Sequence, residues 1–233
     1  MEFPTIFDLI DRLAFLRGMP SVIVLLAAAA IAVILMDKRL AIGALLVHYA
    51  VVGLLFVDVL DPRLAVVYVL AGLFVSAILL VTAWQVNWGR PPSNLTADEA
   101  ERLGLGNSRI IGPFSVSNRQ VVRLIAAAAA LGLALWAAGS EGIVPDTVPA
   151  ALSYMTPAIV GLLGLGLAGL ASSAEPLPSG MGLLVFLSGF ALFFGFLDQS
   201  IAMTVALVAV QLVVALVTSY LAQARYLPVD IPG

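Results

Sequence analysis

The chain has 233 residues, 62% of them hydrophobic and 11% charged, with a mean hydropathy of +1.10 and a net charge of −3. Soluble domains carry about a quarter charged residues, so most of this surface must face lipid. The absence of cysteine and a single histidine, His48, exclude disulfides, thiolate or iron–sulfur ligation and any multi-histidine haem or metal centre within the chain. The charge balance offers no basic face for nucleic acid, and no cofactor is expected.

From the N-terminus, Ile6, Phe7, Ile10, Leu13 and Ala14 recur at helical spacing, with Asp8, Asp11, Arg12 and Arg17 between them. Residues 1–18 therefore read as an amphipathic helix in the membrane interface, or as a ragged extension of the first span. The aspartates argue against a cleaved signal peptide.

A membrane crossing needs about 20 apolar residues. The segments that qualify are Met19–Met36, Leu40–Val57, Leu64–Trp84, Val122–Ala138, Ala151–Ala171, Met181–Phe196 and Ile201–Leu221. Charged or turn residues separate them, among them Asp37-Lys38-Arg39, Asp61-Pro62-Arg63 and Asp198-Gln199-Ser200. Continuous runs of this kind are helices, because barrel strands alternate over about ten residues. The fold class is all-α integral membrane, with about seven transmembrane helices.

The loop from 89 to 121 is the one sizeable polar stretch. Pro91-Pro92 breaks the third span, and Thr96 with Glu99 forms a capping box for a short helix that Gly104 ends. This loop is either a docking surface or an ordinary connection. Lys and Arg then set the orientation. Arg12, Arg17 and Arg63 fall on one side; Lys38, Arg39, Arg90, Arg102, Arg109, Arg119, Arg123 and Arg225 fall on the other. The N-terminus is expected outside the cell (inner) membrane. The 89–121 loop and the 223–233 tail are expected to be cytoplasmic, where the Asn94-Leu95-Thr96 sequon has no meaning.

Shifting the chain by 137 residues lays Leu55-Phe56-Val57-Asp58-Val59-Leu60-Asp61 on Leu192-Phe193-Phe194-Gly195-Phe196-Leu197-Asp198. The shared aspartate, at the same turn between two long spans, carries more weight than the leucines. Residues 19–88 and 151–222 thus read as two three-helix repeats, joined by a connector helix at 122–139. Three crossings plus a connector make an even number, so the repeats run parallel rather than inverted.

An ionisable group near a helix centre costs about 2.5–3.5 kcal/mol on insertion scales, which points to a use. His48, halfway along the second span, is the sharpest candidate for a proton or ion path; a neutral imidazole bonded to a neighbouring helix is the plainer reading. Asp58 and Asp61 close the same span and Asp198 occupies the matching turn; close carboxylates can pass protons or bind cations, or simply solvate a helix end. Gly161, Gly164, Ala168 and Ala171 form a small-residue stripe suited to close helix packing, and Gln211 reads as an interhelical hydrogen-bond partner. Phosphate loops and nucleophile–base sets are missing from the sequence, so no enzymatic role is expected.

This layout resembles the component E family of hydrogenase-4-type complexes, membrane-arm subunits whose halves are similar to the K subunit of respiratory complex I. In that subunit a basic Arg-Asn-Leu turn opens the second helix, and a proton-path glutamate follows nine residues after the Asn. Here Lys38-Arg39-Leu40 opens the second span, and the ninth residue after Arg39 is His48. Asp61-Pro62-Arg63-Leu64 resembles the turn before the third helix. The chain departs from the pattern where the family carries a buried lysine in its third helix, since Gly72, Phe74 and Ser76 stand there. The second membrane glutamate is missing too. The resemblance implies a non-catalytic subunit of a complex I-related assembly, one that packs and seals more than it pumps. Its implied partners are antiporter-like membrane subunits and a peripheral redox module. The competing readings are a stand-alone small transporter or channel, and a membrane anchor for a soluble partner bound through residues 89–118.

Overall fold

The computed structural model describes residues 17–89, 108–111, 114–140 and 148–226. The expected interfacial helix falls almost wholly outside them, as do Thr96, Glu99, Gly104 and residues 227–233. Seven α-helices are described: α1 (Met19–Ile34), α2 (Lys38–Phe56), α3 (Pro62–Gln85), α4 (Asn118–Gly139), α5 (Met155–Ala171), α6 (Pro176–Leu197) and α7 (Ile201–Tyr226). Five are long and apolar enough to cross a membrane, and α1 and α5 are shorter apolar helices. The protein is a multi-pass helical membrane protein.

Helix starts follow local chemistry. The Asp37 carboxylate accepts the Arg39 backbone N–H at 2.9 Å, and the Asp61 carboxylate accepts that of Arg63 at 2.8 Å, capping α2 and α3. Asp198 accepts the Ser200 N–H at 2.8 Å just before α7. Helix α6 begins at Pro176, five residues before the expected Met181, because prolines in a first turn lack only N–H groups that have no partner there. A short 3-10 turn at Ala150–Leu152 precedes α5. Ahead of α4, strands β1 (Ser108–Ile111) and β2 (Phe114–Ser117) pair antiparallel, with Ser108 opposite Ser117. The sequence reading did not anticipate this hairpin.

Helices α1, α2 and α3 pack in sequence, as do α5, α6 and α7, and the two rows face each other: α1 on α5, α2 on α6, α3 on α7. The connector α4 lies against α5 and α1. Matched helices run parallel, because their contacts progress in the same direction. Leu26 meets Gly161 and Val33 meets Gly169 between α1 and α5. Lys38 meets Glu175 at the start of α2 and α6, and Phe56 meets Gly195 at their far ends. This is the parallel repeat in three dimensions.

The tightest pair is α5 with α6, and glycine makes it possible. A Cβ on Gly182 would lie 2.7 Å from the Leu170 backbone nitrogen, and one on Gly189 would lie 2.8 Å from Leu162 Cβ. A Cβ on Gly166 would run into the backbone of Phe186. Such contact between backbones replaces the hydrophobic drive that lipid cannot supply. The anticipated stripe lies elsewhere: Gly161 packs on Leu26 and Ala134, Gly164 packs on Ala130 of α4, Ala168 is half-buried and Ala171 is exposed.

Candidate functional site: the polar seam between the repeats

Polar side chains that fit a helix singly become a site when two helices bring them together. On α7, Thr204, Gln211 and Thr218 recur every seven residues, and all three are buried. On α3, Tyr68, Ser76 and Thr82 are buried. Where α3 packs on α7, Tyr68 and Thr82 find polar partners, while Thr204 bonds the Ser200 carbonyl of its own chain segment and Thr218 lies against Gly180 of α6. Gln211 Nε2 donates to Tyr68 Oη at 2.7 Å, and the Tyr68 hydroxyl donates to Ser188 Oγ on α6 at 3.1 Å. Thr82 Oγ1 and Ser219 Oγ lie 2.5 Å apart. Gln223 Nε2 donates to Gln85 Oε1 at 2.5 Å near the helix ends.

Several polar atoms in this interior have no hydrogen-bond partner among the described residues: both nitrogens of His48, Ser76 Oγ and Gln211 Oε1. The Tyr49 hydroxyl also meets no standard hydrogen-bond geometry, although Ser188 stands within its electrostatic reach. Each such group costs about 1–3 kcal/mol if left without a hydrogen bond. His48 is fully buried, with its ring edge-on to Tyr49 at 5.5 Å between centroids. Tyr49 in turn lies 5.8 Å from the Tyr68 ring, which ties the histidine to the seam through aromatic contacts.

The carboxylates take other roles. Both Asp61 and Asp198 are exposed: Asp61 caps α3, and Asp198 accepts from the Ser200 N–H and hydroxyl, while Ser200 Oγ caps α7. Asp58 accepts a hydrogen bond from the Tyr154 hydroxyl, 2.8 Å away at the head of α5. Burial, and then the bond to Asp58, raise the Tyr154 phenol above its ordinary range. No hydrogen bond or ion pair among the described residues joins any of these aspartates to His48. Asp198 does line a cavity with Tyr68 and Thr204, but its volume of about 10 Å³ holds about one water. No group of three His, Asp or Glu capable of holding a metal ion occurs among the described residues.

Of the expected candidates, Gln211 makes an interhelical bond, and His48 is buried without the bond to a neighbouring helix that its plainer reading gave it among the described residues. Sequence reasoning missed Tyr68, Ser76, Thr82, Thr204, Thr218 and Ser219. The heptad spacing on α7 was the available signal. Comparison of the chain with protein-family models, with curated proteins and with solved structures finds no match.

Proposed function

We propose that this chain is a non-catalytic membrane-arm subunit of a complex I-related assembly, of energy-converting hydrogenase or cation/proton antiporter type. In this reading it lies in the inner membrane with its N-terminus outside, and its 89–121 loop and C-terminus cytoplasmic. It packs between larger subunits and contributes an uncharged polar path rather than a pumping carboxylate. The observation that carries the reading is His48: fully buried, with both nitrogens unpartnered among the described residues, at the position where the resembled family places a proton-path glutamate. A neutral imidazole carries one donor and one acceptor, the pair of functions a proton relay needs. The Tyr68–Gln211–Ser188 network is the next polar station, in reach through Tyr49.

The alternative is a stand-alone small transporter or channel. The deciding experiment is gentle solubilisation of the C-terminally tagged protein, a native gel, and mass spectrometry of the co-migrating proteins. Antiporter-like and redox subunits in one band support the subunit reading. A lone band of monomer or homo-oligomer size rejects it in favour of the transporter. Within such a complex, His48→Ala with assembly and ion pumping both intact would sink the proton-relay part.

A further inference from the structure

The small cavity at the Asp198 end of the seam has a consistent polarity. Tyr68, Thr204 and Asp198 are its polar lining, and the rest is apolar, the Phe56 ring and Gly195 included. Each hydroxyl there has already committed its hydrogen. Tyr68 Oη donates to Ser188 Oγ at 3.1 Å, and Thr204 Oγ1 donates to the Ser200 carbonyl at 3.2 Å. The Asp198 carboxylate takes the N–H and the hydroxyl of Ser200. All three groups therefore meet a ligand as acceptors, and the complement is a small hydrogen-bond donor. The volume of about 10 Å³ is that of about one water, which carries two O–H donors. Asp198 is exposed, so the cavity meets solvent at that residue.

Polar continuity favours this end. Inward of the cavity, Tyr68 joins Ser188 and Gln211, and its ring lies 5.8 Å from that of Tyr49. Towards the other end the polar groups thin out. Ser76 stands eight residues beyond Tyr68, about 12 Å along α3, and Thr82 six further, about 9 Å. A hydrogen bond spans neither interval. Between His48 and Lys38, α2 buries Ala41, Ile42 and Leu45, and the matching stretch of α6 buries Leu184 and Val185. Apolar side chains there give water nothing to bond.

We propose that this cavity is a water site, the entry through which the buried seam is hydrated from the Asp198 end as far as Tyr68. In the orientation proposed above, that end is the outer face. The use of the entry in ion transport rests on the subunit reading; the water site itself does not.

The test exposes the full chain in lipid nanodiscs to short X-ray pulses, which make hydroxyl radicals from the waters that a side chain touches. Oxidised residues are then read by mass spectrometry. Tyr68 is 1% exposed, so its oxidation reports internal water rather than bulk solvent. It is expected to be oxidised severalfold faster in the parent chain than in Gly195→Ala. The added Cβ lies 3.3 Å from Phe56 Cε1 and 3.5 Å from Val59 Cγ1, side-chain atoms that can yield, and it takes the space of the water. Thr204→Val keeps the volume but removes an acceptor, and it should slow the oxidation too, with recovery in Thr204→Ser. That pair carries the test if Gly195→Ala does not fold. The proposal is overturned if Tyr68 is oxidised equally in the parent chain and the folded variants. It is also overturned if sodium raises the Tm of the parent chain but not of Asp198→Asn, which would assign the space to a cation. In the assembled complex, Gly195→Ala is expected to slow ion translocation. Unchanged translocation with Tyr68 protected would keep the water site and count against the proton path alone.

Discussion

Thr82 Oγ1 and Ser219 Oγ share a hydrogen bond at 2.5 Å, and the two residues are separated by 137 positions, the shift that lays Asp61 on Asp198. Lys38 and Glu175, paired at 3.5 Å, have the same separation. Residues that correspond between the repeats therefore also touch across their interface. The polar seam is built from such positions at one end and from offset partners, Tyr68 with Gln211, at the other.

Replacing Gln211 by Leu removes the donor to Tyr68 and is expected to lower stability by about 1 kcal/mol, as for other interhelical hydrogen bonds in lipid. Tyr68→Phe should cost a similar amount. A double-mutant cycle on the two, read by denaturant unfolding in micelles, should return a coupling of about 0.6–1.7 kcal/mol. Simple additivity would mean that the bond contributes nothing.

The α5–α6 contact predicts a sharp contrast between glycines. Gly182→Ala pushes a methyl to 2.7 Å from the Leu170 nitrogen, and backbone cannot step aside. A loss of about 3 kcal/mol, or failure to fold, is expected. Gly132→Ala, with nothing within 4 Å of its new Cβ, should hold or gain up to about 1 kcal/mol from helix propensity. Thermal unfolding of both variants checks the pair; equal tolerance would contradict the close approach.

Tyr154 gives the chain an alkaline limit. Its phenol is raised by burial and by Asp58, with a smaller opposing effect from Arg17. The bond's contribution is therefore complete below the unfolded value of about 10 and is lost as pH climbs through the higher folded value. Tyr154→Phe should cost about 1 kcal/mol near pH 8. Above pH 10 the difference from the parent chain should shrink. A constant difference across that range would place the contribution in ring packing instead.

His48→Leu separates stability from use. Both imidazole nitrogens lack partners among the described residues, so an apolar side chain of similar size should leave the isolated chain as stable, or more so by about 1 kcal/mol. Under the proposed subunit reading, the same change should lower ion translocation in the assembled complex. A marked drop in the isolated chain's Tm would instead reveal a structural water or hydrogen bond at the ring.

The seven apolar runs were legible because lipid demands long continuous stretches, and the repeat was legible through Asp61 and Asp198, each of which accepts a backbone N–H two residues on. The α6 start was misplaced because Pro176, Pro178, Ser179 and Gly180 read as a loop, although a first turn tolerates each of them. The β1–β2 hairpin had a faint signal in Gly112-Pro113 between short β-branched runs. The seam was hidden for a different reason. A threonine or serine on an apolar helix is unremarkable until its partner on another helix is known, and that partner lies about 140 residues away. The close glycines of α6 were missed likewise, because which face of a helix meets its neighbour is settled by tertiary packing.

The Lys38–Glu175 pair also says what the two halves can no longer be. Were the second half a copy of the first, position 175 would carry a lysine, and two ammonium groups would confront each other at that end of the bundle. A chain assembled from two first halves should therefore assemble poorly at that rim, and a single Glu175→Lys change should reproduce the defect. Unlike charges at matched positions make the halves complementary rather than interchangeable, and fix which one must come second.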